Sequence, residues 1–78
     1  MRPGIKKEDV REMIIAAIAI SNGFELEEVI INDSDLIDNL PNPTSTLGTI
    51  TETFGFPARQ NEGLTVGQLI SDYESLFD

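Results

Sequence analysis

Three carboxylates, Asp33, Asp35 and Asp38, fall within six positions, and two adjacent hydroxyls, Thr44 and Ser45, follow Pro43 shortly after. Both groups have side chains that could do chemistry. A carboxylate pair divides acid and base duties only where neighbouring groups push its two pKa values apart, and no Arg, Lys or His stands near these three in sequence. A dedicated calcium loop needs about six oxygen ligands, with a glycine and a closing glutamate at fixed offsets, and that pattern does not follow Asp33. The chain has no His and no Cys, which removes the commonest general base, the usual zinc ligands, a thiolate nucleophile and any disulfide framework. The expectation is a protein that is not an enzyme and has no dedicated metal site. The three aspartates then read as solvated or capping groups, and Thr44 and Ser45 as hydroxyls that satisfy free N–H groups in a helix's first turn.

The elements that would hold these groups are mainly helical. Val10, Met13, Ile14, Ala17 and Ile18 follow the i, i+3, i+4, i+7, i+8 spacing of one buried stripe, which predicts a helix from about Lys6 to Ser21. Ile15, Ala16, Ala19 and Ile20 widen that stripe until the second half is apolar nearly all round, as suits a helix covered on more than one side. Asn22-Gly23 is its stop, since both residues tolerate the left-handed conformation that closes a helix. At the other end Thr65 and Gln68 form a capping box, and Val66, Leu69, Ile70, Tyr73, Leu76 and Phe77 make a second stripe running towards the end of the chain. A loop anchored by Phe24, Leu26, Val29 and Ile31 leads to a short turn over residues 34–40 that Pro41 must end. Asn42 with Pro43 is a helix start, Leu47, Ile50 and Phe54 share a face, and Gly55 is a stop. The many threonines of this segment are weak helix formers, but a strand here would have no partner, so a helix is expected. Residues 57–63 read as loop.

The sequence has 78 residues and a formal net charge of −9, which fits one domain with an economical core. Four of the five basic residues, Arg2, Lys6, Lys7 and Arg11, lie within the first eleven positions, whereas the stretch from Glu12 to Ala58 holds eight carboxylates and no cation. Such a field repels nucleic-acid phosphates and anionic lipid and attracts basic patches on proteins. No apolar run is long enough to span a bilayer and no signal-peptide pattern follows Met1. The expectation is a monomeric cytoplasmic domain that binds proteins, without nucleic acid and without membrane insertion.

The order of these elements resembles the acyl carrier protein family over nearly the whole chain. The matching pieces are Glu28-Val29, then Ser34-Asp35-Leu36-Ile37-Asp38-Asn39-Leu40, then Thr53-Phe54-Gly55-Phe56, then Leu64 through Tyr73. The resemblance implies an all-α fold, a small four-helix bundle whose third helix is here short or missing, spanning residues 1–78 as a single domain. Family members carry a 4′-phosphopantetheine arm on the serine of an Asp-Ser-Leu motif at the start of the second helix. Counted forward from Asp35, those positions fall on Pro43, Thr44 and Ser45, so the motif is not kept and the attachment serine is replaced by threonine. The second helix, which family partners read through its carboxylates, is about one turn short and offers only Glu52 beside a row of threonines.

Two functions follow from the resemblance. The first is a carrier-like module without an arm, and so with no cofactor, that docks onto biosynthetic enzymes through Asp35, Asp38 and Glu52. The second is a working carrier with 4′-phosphopantetheine on Ser45, or on Thr44, that shuttles acyl thioesters in fatty acid or polyketide biosynthesis. An acidic helical binding domain of another kind is the third reading.

Overall fold

In the computed structural model, the described residues are 5–59 and 62–77. Arg2, part of the basic N-terminal cluster, lies outside them, as do residues 60 and 61 of the expected loop. Among the described residues the chain is all-helical, with three α-helices: α1 (Lys7–Asn22), α2 (Pro43–Phe54) and α3 (Val66–Glu74). Single 3₁₀ turns occupy Ile37–Asn39 and Ser75–Phe77. No described helix is long and apolar enough to cross a membrane.

Helix α1 forms where the apolar spacing places it, and Val10, Ile14, Ala17 and Ile18 are buried along its inner face. Glu8 and Asp9 in its first turn face the positive end of the helix dipole. Gly23 ends it in the left-handed region at φ 73°, and its N–H and that of Phe24 both donate to the Ala19 carbonyl. The second half of α1 is covered on more than one side, as expected, since Ala17, Ile18 and Ala19 are buried and α1 packs against both α2 and α3, but Ile20 is 75% exposed. The stripe widened by Ile20 therefore turns outward at the helix end.

Helix α2 forms despite its threonines because packing outweighs propensity. Pro43 occupies its first turn, Gly55 closes it at φ 79°, and Thr46, Ile50 and Phe54 are buried at a spacing of four. Burial of Ile50 and Phe54 stabilises by about 1.5–3 kcal/mol each, more than the few tenths of a kcal/mol that each threonine costs relative to better helix formers. Leu47, expected on this buried face, is only partly buried against the core, and Thr46 takes the fully buried position.

Helix α3 begins with the expected capping box, in which the Thr65 hydroxyl accepts from the Gln68 N–H at 3.2 Å and the Thr65 N–H donates to the Gln68 side chain at 3.1 Å. Its buried face, Val66, Leu69, Ile70 and Tyr73, joins α1, and Phe54 stacks on Tyr73 with ring centroids 4.7 Å apart. α1 packs against both α2 and α3 and so forms the spine of the core.

The segment before α2 is more than the turn expected over residues 34–40. It pairs antiparallel with the start of α3, with Leu36 opposite Thr65. Ile37 N–H donates to Leu64 O, Val66 N–H to Asp35 O and Gly67 N–H to Asp33 O, each at 2.9 Å. The bonds from Val66 and Gly67 satisfy first-turn N–H groups of α3 that a helix leaves without partners.

Candidate functional site

The start of α2 is held by the end of α1. Asn22 uses both ends of its amide: its oxygen accepts the Asn42 N–H at 2.8 Å, and its nitrogen donates to the Thr46 hydroxyl at 2.8 Å and to the Ile18 carbonyl at 2.7 Å. The Asn42 side chain, rather than capping α2, donates back to the Ser21 carbonyl at 3.2 Å. Thr46 lies within reach of the Asn42 carbonyl at 2.9 Å and of the Ser21 hydroxyl at 2.9 Å. Among the described residues, no buried side-chain polar atom lacks a partner. A polar cluster satisfied in this way rigidifies the elements it joins, so the first turn of α2 is set firmly against α1.

That placement sends Thr44 and Ser45 in different directions. Both are exposed, and the anchoring of the turn runs through Thr46 instead of through either of them. Thr44 lines a cleft of about 270 Å³ together with Ile37, Asp38, Pro43, Leu47, Glu62 and Leu64. Thr44 and Leu47 also wall a second cleft, of about 460 Å³, with Gly48, Thr51, Glu52 and Pro57. Thr44, Leu47, Gly48 and Thr51 thus share one face of α2 at the i, i+3, i+4, i+7 spacing. Ser45 lines neither cleft.

The carboxylates are sorted in a comparable way. Asp38 and Glu52, both exposed, stand on the two clefts that share the Thr44 and Leu47 wall. Asp35 is half-buried and accepts the Asn32 N–H at 2.9 Å, which makes it a brace for its own turn. The absence of a cation near the aspartates holds in sequence but not in space. Arg11 reaches from α1 to grip Asp33 with two hydrogen bonds, at 2.6 and 3.0 Å. Those bonds hold the Asp33 carboxyl below its usual range. A second pair, Arg59 with Asp72 at 2.7 Å, spans the loop after α2 and the middle of α3.

A third cleft, of about 420 Å³, is lined by Phe56, Pro57, Ala58, Arg59, Asp72, Tyr73 and Leu76. The hydroxyl of Tyr73, one of its lining residues, donates to the Phe56 carbonyl at 2.7 Å. Its two charged residues are the Arg59 and Asp72 pair.

The sequence reading missed the Ser21, Asn22, Asn42 and Thr46 cluster, and with it the reason α2 starts where it does. The available signal was Thr46 itself, four residues before Ile50 and eight before Phe54, on the buried side of a helix. Compared with protein-family models, curated proteins and solved structures, the chain finds no match.

Proposed function

We propose that this chain is an acyl-carrier-protein-like, non-catalytic cytoplasmic module that docks onto biosynthetic enzymes and bears no phosphopantetheine arm. The observation that carries this reading is which of the two hydroxyl residues lines the cleft at the start of α2. It is Thr44, whose branched β-carbon hinders a transferase more than serine would, while Ser45 sits about 100° further round the helix and outside the cleft. The element order, a long first helix, a short turn, a proline-started helix and a capped last helix, supports the carrier-like part of the reading. Asp38 and Glu52, on clefts that share one wall of α2, support docking onto basic partner surfaces.

The competing reading, a working carrier with its arm on Ser45, draws on the exposure of Ser45 in the first turn of α2, where backbone N–H groups and the helix dipole favour a phosphate. One experiment separates the two. The purified chain is incubated with a broad-specificity phosphopantetheinyl transferase and coenzyme A, and its intact mass is measured. The expected result is an unchanged mass, and a stoichiometric adduct mapped to Ser45 or Thr44 would make the chain a working carrier.

A further inference from the structure

The end of α1 and the loop after it carry a surface that the docking face on α2 does not use. Ile20 is 75% exposed, Leu26 58%, Ile30 83% and Phe24 37%. Four large apolar side chains left open within eleven positions are more than the scattered exposure of a single residue, which needs no explanation. Glu25, Glu27 and Glu28 are exposed between them.

This surface is held in place at both ends and within. The Phe24 N–H is fixed to the Ala19 carbonyl, and the Glu28 and Val29 N–H groups both donate to the Glu25 carbonyl at 3.0 and 2.9 Å. Ser21 and Asn22 are tied to α2 through Thr46 and Asn42. At the far end Ile31 packs against the core. The apolar side chains are therefore presented by a braced turn, and a partner would lose little entropy in ordering them.

We infer that the surface formed by Ile20, Phe24, Leu26 and Ile30, with Glu25, Glu27 and Glu28 among them, binds a basic amphipathic helix of a partner protein. A single stripe of aliphatic residues on such a helix covers the exposed isoleucines and leucine, and Lys or Arg beside that stripe meets the three glutamates. Charge selects this occupant over the alternatives. A second copy of the chain would set the same three glutamates against one another within a molecule of net charge −9. Anionic lipid is repelled by the same field.

The test uses three synthetic peptides of about five helical turns, roughly 18 residues. One carries Leu along one stripe and Lys elsewhere, one has the same composition with Leu spread all round, and one is Lys alone. Affinity is measured by fluorescence anisotropy and the contact surface by backbone amide chemical shifts. The striped peptide is expected to bind most tightly and to shift residues 20–30. The double variant Ile20→Ser, Ile30→Ser should weaken it by at least about tenfold, the worth of one or two buried aliphatic side chains. Glu25→Gln, Glu27→Gln, Glu28→Gln should weaken it and flatten its dependence on salt. All five positions are exposed, so circular dichroism should show the variants folded.

Equal affinity of the double serine variant would overturn the inference. So would shifts confined to the α2 face around Asp38 and Glu52, self-association of the chain through residues 20–30 in sedimentation, or binding to phosphatidylcholine vesicles that the same variant abolishes. The arm assay is independent of this surface, so either proposal can fail alone.

Discussion

Asn22, at the end of α1, donates its side-chain amide to the buried hydroxyl of Thr46 on α2 across 2.8 Å. Thr46 is fully buried, so the bond is made out of water, where an abandoned donor loses its hydration without replacement. Thr46→Val removes the acceptor and leaves one amide proton of Asn22 with only the longer contact to the Ser21 hydroxyl at 3.3 Å, while the Asn42 carbonyl keeps the Thr46 N–H, at a cost of about 1–3 kcal/mol. Asn22→Ala should cost a similar amount, because it also releases the Asn42 N–H. The double variant should lose less than the sum of the two by at least about 0.5 kcal/mol, the sign of residues acting in one network. Urea denaturation of the four proteins checks this, and strict additivity would mean that the cluster does not act as a unit.

The apolar rhythm made α1 and α3 legible in the sequence, since Val10 to Ile18 and Val66 to Tyr73 each place a full stripe at helical spacing. The capping box at Thr65 and the stops at Gly23 and Gly55 were equally plain, because each answers a local backbone need that few residue types can meet. What the sequence did not disclose depends on contacts between distant positions. Arg11 and Asp33 are 22 positions apart, and nothing in a charge count joins them. The pairing of residues 33–37 with 64–67 uses backbone groups, which leave no mark on side-chain pattern. At the candidate site, Pro43, Thr44 and Ser45 were readable as a helix start, but which of the two hydroxyl residues lines the cleft depends on how Asn22 and Thr46 seat that helix.

Two glycines should respond to the same substitution in opposite directions. At Gly48, within α2, an added methyl group meets nothing within 4 Å, so Gly48→Ala should stabilise by about 0.5–1 kcal/mol through reduced backbone freedom in the unfolded chain. At Gly67, in the first turn of α3, the same methyl would lie 2.9 Å from the Asp33 β-carbon and 3.1 Å from the Asp33 carbonyl oxygen. That carbonyl accepts the Gly67 N–H, so it cannot retreat without breaking the pairing that seats α3. Gly67→Ala should therefore destabilise by about 1–3 kcal/mol. A Gly67→Ala protein that melts at or above the parent temperature would show that the 33–35 segment is free to shift.

The Arg11 and Asp33 pair should show itself in acid. Hydrogen bonds from Arg11 hold the folded-state pKa of Asp33 below its ordinary value, so the folded chain favours the ionised carboxylate. The contribution is present above the unfolded pKa of about 3.9 and is lost as pH falls through the lower folded-state value. Other carboxylates titrate in the same range, so the informative quantity is the difference between the parent and Asp33→Asn. Both groups are solvent-exposed, and that difference should be small at neutral pH, reduced by salt, and gone at the acid end. A difference that persists unchanged in acid would mean that the effect of Asp33 does not come from its ionised carboxylate and the bonds with Arg11.

The alkaline limb should report on Tyr73, the single tyrosine of the sequence. Its ring is buried against Phe54 and its hydroxyl donates to the Phe56 carbonyl at 2.7 Å. Burial pushes its pKa up most, the Thr51 hydroxyl works in the opposite direction, and the Asp72 carboxylate raises it again. The folded state therefore holds this proton more tightly than the unfolded state does, and the resulting stability is complete below the unfolded pKa of about 10 and is lost as pH rises through the higher folded-state value. Phenolate absorbance should rise with a midpoint above about 10 in the folded chain and near 10 in denaturant. Tyr73→Phe should cost about 0.5–1.5 kcal/mol at neutral pH through the lost hydrogen bond, and the gap between parent and variant should close as pH climbs. A folded-state midpoint at or below that of the denatured chain would mean that the Tyr73 hydroxyl is open to water, and that the bond to Phe56 does not hold the loop after α2 onto α3.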